Sequence, residues 1–416
     1  MLLCCWVDWA HNLRPVTENL YPTIDELEVE NRLVLVRVDL NVPITNDFQI
    51  TDFSRLQRIL PTLQELSARR ARIVLISHFG RPKGRKVTDL SLSFLGEPLS
   101  YLMGGVKIAF APDCIGNAAE AAANAATPGT ITLLENLRFH KGEEENDPNF
   151  SAKLASVGEV YVNDAFSVSH RSHASVVGVP ALLPHAAGRS MQGELESLSR
   201  VLRNPAKPVM AIIGGAKIST KLGLLGNLSE HVDVLAIGGG MANTLLYASG
   251  FEVGISICEP EMVDEARHIL ERARKNSCEV LLPIDVATVP NGEVDTPPQV
   301  VSINEMPRNS AILDIGPKSS ELLARRLEAC KTLVWNGPLG LFETPPFDAS
   351  TNFLAGQAAM MTELGTLTSI AGGGDTLAAL NRANVSSSFT YVSTAGGAFL
   401  EWLEGKILPG VEALQN

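Results

Sequence analysis

Four apolar runs in the second half of this chain end in glycine clusters, and each cluster is followed by a helical pattern. Val209–Ile213 runs into Gly214-Gly215, and Val232–Ile237 into Gly238-Gly239-Gly240. Thr368–Ala371 runs into Gly372-Gly373-Gly374, and Thr390–Thr394 into Ala395-Gly396-Gly397. Short apolar runs that alternate with helical segments predict buried parallel strands covered by helices on both faces. In such sheets ligands bind beyond the carboxyl ends of the strands. Glycine there lets backbone approach a phosphate, and helix N-termini supply N–H donors and a positive dipole end. A single Gly-Gly is better explained by tight strand–helix packing. Four in register favour an anion or nucleotide site.

The first half follows the same alternation. Leu33–Val38, Arg72–Ser77, Val106–Phe110, Ile131–Leu134 and Glu159–Val162 read as strands, with helical spacing over Arg55–Arg69 and Asn117–Ala126. The chain has 416 residues, too many for one ordinary core. Met191–Arg203 carries Leu195, Leu198 and Leu202 on one side and is stopped by Asn204-Pro205, so it reads as a helix linking two α/β halves. The expected division is an extension over 1–21, a first domain over 22–190, a linker helix over 191–203 and a second domain over 204–403. The tail from about 404 to 416 is expected to pack back on the first domain.

Composition narrows the function. The formal net charge of −12 repels a phosphate backbone, so general nucleic-acid binding is not expected. No apolar run reaches the roughly 18 residues that would span a bilayer, and no membrane partner is expected. The six cysteines, at 4, 5, 114, 258, 278 and 330, form no CxxC pair and no spacing with histidine that suggests zinc. A reducing, cytoplasmic compartment fits that sparse pattern.

The two halves carry different chemistry at their strand ends. In the first, Arg55, His78, Arg81, Arg138, His140, Lys141, His170, Arg171 and His173 gather mostly after predicted strands, and Asp39 and Asn41 follow the first one. Convergent Arg and His in an acidic chain point to a pocket for a small, highly anionic substrate; the alternative is a solvated charged face. In the second, Lys217 and Lys221 stand four residues apart beside the Gly214 turn, on one face of a predicted helix, where they can meet the two ends of a polyphosphate. Asp375, at the Gly372–Gly374 turn, can serve a Mg²⁺ ion carried by a nucleotide. An exposed helix and an N-cap are the alternatives for these residues.

GxxxxGK[ST], HRD…DFG, GxSxG and HExxH are absent, and Gly238–Asn243 gives only GxGxxN without a following acid. These absences leave an anion pocket and a nucleotide pocket on separate domains.

Several segments together resemble the phosphoglycerate kinase family. They are Arg37-Val38-Asp39-Leu40-Asn41-Val42-Pro43, Ser77–Pro82, Leu134–Phe139, Asn163–Phe166, Gly214–Lys221, Val334–Glu343 and Gly372–Thr376, in order from about residue 22 onward. The resemblance implies two Rossmann-like lobes, each a parallel sheet with helices on both faces, joined by a hinge helix. It implies phosphoryl transfer between 1,3-bisphosphoglycerate and MgADP, giving 3-phosphoglycerate and MgATP, with a monomer as the expected state. By motif, Asp39, Asn41, Arg55, His78, Arg81, Arg138 and Arg171 would bind phosphoglycerate. Gly214, Lys217, Lys221, Gly238, Gly239, Asn336, Pro338, Glu343, Gly373, Gly374, Asp375 and Thr376 would bind the nucleotide, with Asp375 on Mg²⁺ and Glu343 on the ribose. Arg55, Lys217, Gly373 and Gly396 would act on the transferring group. Phe53, Gln57, Ser167 and Ala395 depart from the family pattern. Ala395 keeps its N–H, which preserves anion binding unless the position needs φ > 0. A catalytically silent nucleotide binder and a dinucleotide-dependent oxidoreductase are the competing readings.

Overall fold

A computed structural model describes residues 21–202 and 205–415; residues 1–20 of the extension expected over 1–21, and residues 203, 204 and 416, lie outside it. The strands are β1 (Leu33–Val38), β2 (Arg72–Ile76), β3 (Ile108–Ala111), β4 (Ile131–Leu134), β5 (Val160–Asp164), β6 (His185–Ala187), β7 (Val209–Ile213) and β8 (Val234–Ile237). They continue as β9 (Glu279–Leu281), β10 (Asp285–Pro290), β11 (Gln299–Ser302), β12 (Ser310–Ile315), β13 (Thr332–Asn336), β14 (Thr368–Gly372) and β15 (Tyr391–Ser393).

Contacts divide the chain into two units. The first holds a six-stranded parallel sheet in the order β3-β4-β2-β1-β5-β6. Its central strand β1 is buried at every position. Val34, Val36 and Val38 enter one hydrophobic cluster while Leu33 and Leu35 enter another on the opposite face. That is why the run reads as continuously apolar rather than alternating. The exception is Arg37, fully buried. The second unit holds a parallel sheet in the order β15-β14-β13-β7-β8-β9. Strand order reverses between β7 and β13, so a crevice opens beyond their carboxyl ends.

The sequence reading missed β6, β9 and β13 as strands, and a whole antiparallel sheet, β11-β10-β12. β6 and β9 span only three residues each and β10 pairs with a register shift at Ala287/Thr288, whereas β13 is a run of five buried residues as readable as β7. Val300 in β11 is 55% exposed, so the run carries no strong burial signal. The helix expected over Met191–Arg203 starts earlier, at Arg189, and is described as far as Leu202. Arg189 anchors its first turn by ion pairs to Asp25 (2.6 Å) and Glu65 (2.7 Å), partners too distant in sequence to be foreseen. Phe166–His170, expected in the first domain, group by contacts with the second unit, and the part of the tail that groups with the first begins at Pro409 rather than near 404.

Candidate functional site

In the first unit the expected residues sit on loops leaving β1, β2 and β4, which are hydrogen-bonded neighbours and therefore deliver their loops to one edge. Arg55 lies in the first turn of the helix Ser54–Ala68 and forms an ion pair with Asp39. Asp39 Oδ1 accepts from the N–H of Asn41 (3.0 Å), and Asn41 Oδ1 accepts from the N–H of Gly80 (2.9 Å), tying the β1 and β2 loops together. Gly80 has φ of +61°. Buried Arg138 donates from Nη1 to the Gly80 carbonyl (2.8 Å) and pairs with Glu144 (3.3 Å). Asn136 locks this corner: its Nδ2 donates to the carbonyls of Phe79 (2.7 Å) and Leu90 (2.8 Å), and its Oδ1 accepts from the N–H of Arg138 (3.1 Å).

His78 is buried, and its imidazole is held well below the ordinary histidine range. Desolvation is the main cause, and the positive charges of Arg37, Arg138 and Arg55 add to it against the opposing charge of Asp39. The Arg55–Asp39 pair, the Asn41–Gly80 bond and the bond from Arg138 to the Gly80 carbonyl bring Asp39, Arg55 and Arg138 to the loop that carries His78. Arg37 Nη2 stands 3.2 Å from His78 Nδ1. Guanidinium only donates, so Nδ1 accepts and the ring proton sits on Nε2. Arg37 Nε also donates to Ser175 Oγ (3.0 Å), which in turn donates to the fully buried Glu143 carboxylate (2.6 Å). Burial opposes ionisation of Glu143, yet His173, Arg37 and Ser175 outweigh it and hold the carboxyl below its usual range. This internal charge chain reaches the His78 ring and was missed by sequence reasoning; a lone Arg inside an apolar strand was its signal.

Arg171 lies close enough that its charge acts on Arg138. Arg81 is exposed and has no ion pair or hydrogen bond among the described residues, so the fold does not lock it into the cluster.

In the second unit the glycine clusters separate into two kinds. A Cβ on Gly214 would stand 1.8 Å from the Pro338 carbonyl oxygen, one on Gly238 2.7 Å from Leu339 Cα, and one on Gly239 2.7 Å from the Gly215 carbonyl oxygen. These glycines let the loops after β7, β8 and β13 touch backbone to backbone, with Gly214 N–H donating to the Asn336 carbonyl (2.9 Å) and Gly239 N–H to that of Leu339 (2.9 Å). By contrast, a Cβ on Gly374 or Gly396 would meet nothing within 4 Å. Those two open the helices Gly374–Arg382 and Gly396–Leu403, whose first N–H groups have no partner within the helix. Gly373, with φ of +102°, caps the first of these helices. Ala395 has φ of −86°, so alanine is unstrained there, although its N–H donates locally to Ser393 Oγ (3.1 Å).

The two lysines do not share a helical face. Lys217 is extended, residues Ile218–Thr220 form a 3₁₀ turn, and the α-helix starts only at Leu222. Lys217 is exposed, with its charge felt by Glu259. Lys221 turns back instead and donates from Nζ to the Gly214 carbonyl (2.6 Å) and to Asn336 Oδ1 (2.7 Å). Burial draws its pKa down to about 8, with the nearby Asp375 carboxylate opposing. Asn336 also donates from Nδ2 to the Gly372 carbonyl (2.7 Å), so one buried side chain joins the ends of β7, β13 and β14.

Thr376 is likewise committed: its hydroxyl donates to the Gly372 carbonyl (2.8 Å) and accepts from the N–H of Gly337 (2.7 Å). Its backbone N–H, not its hydroxyl proton, is what it can offer a phosphate. Asp375 is exposed, makes no capping bond, and has no hydrogen bond or ion pair among the described residues. A spare carboxylate beside open N–H groups and a lysine suits a Mg²⁺ ion that reaches the site on nucleotide phosphates. Glu343 is exposed on the turn after β13, and only its carbonyl is engaged, by Arg382 (3.2 Å).

Comparison with known proteins agrees with this layout. A sequence profile of the phosphoglycerate kinase family matches residues 24–406. The phosphoglycerate kinase of Granulibacter bethesdensis is 54% identical over 395 residues, covering 95% of this chain and 99% of that protein. That of Brucella abortus is 52% identical over 397 residues, covering 95% of this chain and 100% of its own length. The solved structure of the Coxiella burnetii phosphoglycerate kinase superposes with a TM-score of 0.87 at 40% identity, covering 95% of this chain and 98% of that one. Likeness of this extent in both sequence and architecture leaves one assignment: the chain belongs to the phosphoglycerate kinase family, phosphotransferases with a carboxyl group as acceptor.

Proposed function

We propose that this chain transfers a phosphoryl group reversibly between 1,3-bisphosphoglycerate and ADP, giving 3-phosphoglycerate and ATP. The observation that carries the reading is the convergence of Arg55, Arg138, His78 and Asp39 on the loops after β1, β2 and β4, tied by the Arg55–Asp39, Asn41–Gly80 and Arg138–Gly80 contacts. Arg55, Arg138, Arg171 and Arg81 supply positive charge for an anionic substrate, while Asp39 and Asn41 accept from its hydroxyl. His78, neutral with its proton on Nε2, donates a hydrogen bond without adding charge.

In the second unit the open N–H groups at Gly374 and Gly396, with Lys217 and Lys221, receive nucleotide phosphates. Gly214, Gly238, Gly239 and the Asn336–Pro338 turn shape the slot for the nucleoside, and Glu343 faces its ribose. Asp375 would hold Mg²⁺, which neutralises phosphate charge when bound. The acceptor in the ATP-consuming direction is a carboxylate with a reference pKa of about 4, ionised at neutral pH, so no general base is needed. The protein's task is to neutralise the transferring group and to exclude water, which would hydrolyse an acyl phosphate.

Because the two ligands fall to different units, transfer requires hinge closure. We place the enzyme in the cytoplasm as a monomer, and among the described residues no helix is long and apolar enough to cross a membrane. A coupled assay with ATP and 3-phosphoglycerate tests the reaction: turnover is expected, and nucleotide binding without turnover would make this a silent relative. Small-angle X-ray scattering tests closure. The radius of gyration should fall most with both substrates present, and an identical radius in all ligand states of an active preparation refutes it.

A further inference from the structure

Three donor groups of unlike chemistry meet where β3 and β4 end. One of them, His140, stands two residues beyond Arg138 and belongs by sequence pattern to the anion-pocket candidates. β3 and β4 are parallel neighbours with Ala111 opposite Leu134, so the loops that leave them emerge at the same edge. The first loop carries Asp113 and Cys114; the second, after the turn Leu137–Phe139, brings His140. His140 Nε2 donates to Asp113 Oδ1 at 2.7 Å, and the same oxygen accepts from the N–H of Cys114 at 2.7 Å. One carboxylate oxygen, the thiol sulfur and one imidazole nitrogen all lie within 4.8 Å of one another.

We propose that Asp113, Cys114 and His140 form a binding site for a borderline divalent transition metal such as Zn²⁺, with water in the fourth position. Bonds of about 2.0–2.3 Å to a tetrahedral ion put its ligand atoms roughly 3.5 Å apart. The three donors reach that arrangement if the His140–Asp113 pair opens by under about 1 Å and the sulfur closes in. The frame around them is set: Cys114 is fully buried, and the His140 ring packs against Phe150 with centroids 5.4 Å apart. The His140 and Asp113 side chains are 31% and 44% exposed, so an ion and its water have a path in. On binding, the thiol proton leaves to solvent and the imidazole proton moves to Nδ1, which has no partner among the described residues. A thiolate and an imidazole disfavour Mg²⁺, which keeps this site apart from the ion that travels with the nucleotide.

The test is a Co²⁺ titration of the reduced full-length protein without nucleotide. A thiolate-to-cobalt charge-transfer band is expected, abolished by one equivalent of Zn²⁺. Cys114→Ser should remove the band, and His140→Gln should weaken Zn²⁺ binding at least ~100-fold, since losing a direct ligand costs no less than losing its supporting partner. The double variant Cys4→Ser/Cys5→Ser should keep the band. Absence of any band under Co²⁺ excess, or a band lost with Cys4 and Cys5 and retained in Cys114→Ser, overturns the proposal. Should Cys114→Ser fail to fold, His140→Gln still decides the matter, since unchanged Zn²⁺ affinity in that variant also overturns it. The coupled assay is independent of all these outcomes, so failure here leaves the proposed reaction standing.

Discussion

In the proposed reaction the two units would hold anions by different means. In the first, recognition rests on side chains: Arg55, Arg138 and His78 are charged or polar groups whose orientations are fixed by Asp39, Asn136 and the buried Arg37–Ser175–Glu143 chain. In the second, it rests on backbone: glycines bring three loops into contact, and two open helix starts present N–H groups. A small, densely charged acid suits guanidinium forks, which match carboxylate and phosphate oxygens in pairs. A nucleotide also needs a flat slot, and in the proposed reading its wall is formed by the loops that these glycines bring together. The first design is therefore sensitive to charge and the second to volume.

The largest expected effect tests that contrast directly. Gly214→Ala places a methyl group 1.8 Å from a backbone oxygen that no rotamer change can move, so the second unit should be destabilised by more than about 4 kcal/mol. Chemical denaturation checks this, and a loss under about 1 kcal/mol would show that the loops yield. Arg55→Ala should leave the fold intact and lower kcat on the order of 10³-fold with a smaller rise in KM, because its charge is needed most in the transition state. A kcat within a few-fold of wild type removes Arg55 from that role.

Asp375→Asn should weaken MgADP on the order of tenfold or more while sparing metal-free ADP, as expected for a carboxylate facing an ion rather than a backbone cap. Calorimetry with and without Mg²⁺ separates the two, and equal weakening contradicts the ion-facing role.

The units should also differ in pH response. Lys221 falls from 10.5 in the unfolded chain to about 8 in the fold, so between those values the unfolded state binds more protons and stability rises with pH. Nucleotide phosphates prefer the ammonium form, so MgADP affinity should fall by up to about tenfold per pH unit above 8, up to the pKa of Lys221 in the complex. His78 is already neutral at its ordinary pKa of 6.5, so phosphoglycerate binding should show no inflection from this ring there. Proton NMR of the His78 ring checks that point; a resonance titrating near 6.5 would break the comparison. The smallest effect belongs to Gly374→Ala, whose Cβ meets nothing within 4 Å, so stability should change by less than about 1 kcal/mol. A larger loss would mean that this glycine, too, is there for packing.

Local sequence pattern was enough to specify the layered parallel architecture, because a β/α alternation with runs such as Val34–Val38 buried on both faces fits little else. It also marked the loops that carry Asp39, His78, Arg138, Gly214 and Gly373, since these follow directly from the strand ends. What it left open was decided by contacts between residues far apart in the chain. The glycines at 214 and 374 look alike in sequence, yet only the approach of the β13 loop makes the first a packing residue. The spacing of Lys217 and Lys221 suggested a shared helical face, but the tertiary pull of the Gly214 carbonyl and Asn336 turned one lysine inward. The antiparallel sheet β10–β12 escaped notice because β11 is half exposed and β10 and β12 bury residues in pairs rather than alternately. Asp113, Cys114 and His140 have no metal-site spacing, since their meeting depends on β3 and β4 being neighbours, and strand order is not written in local periodicity.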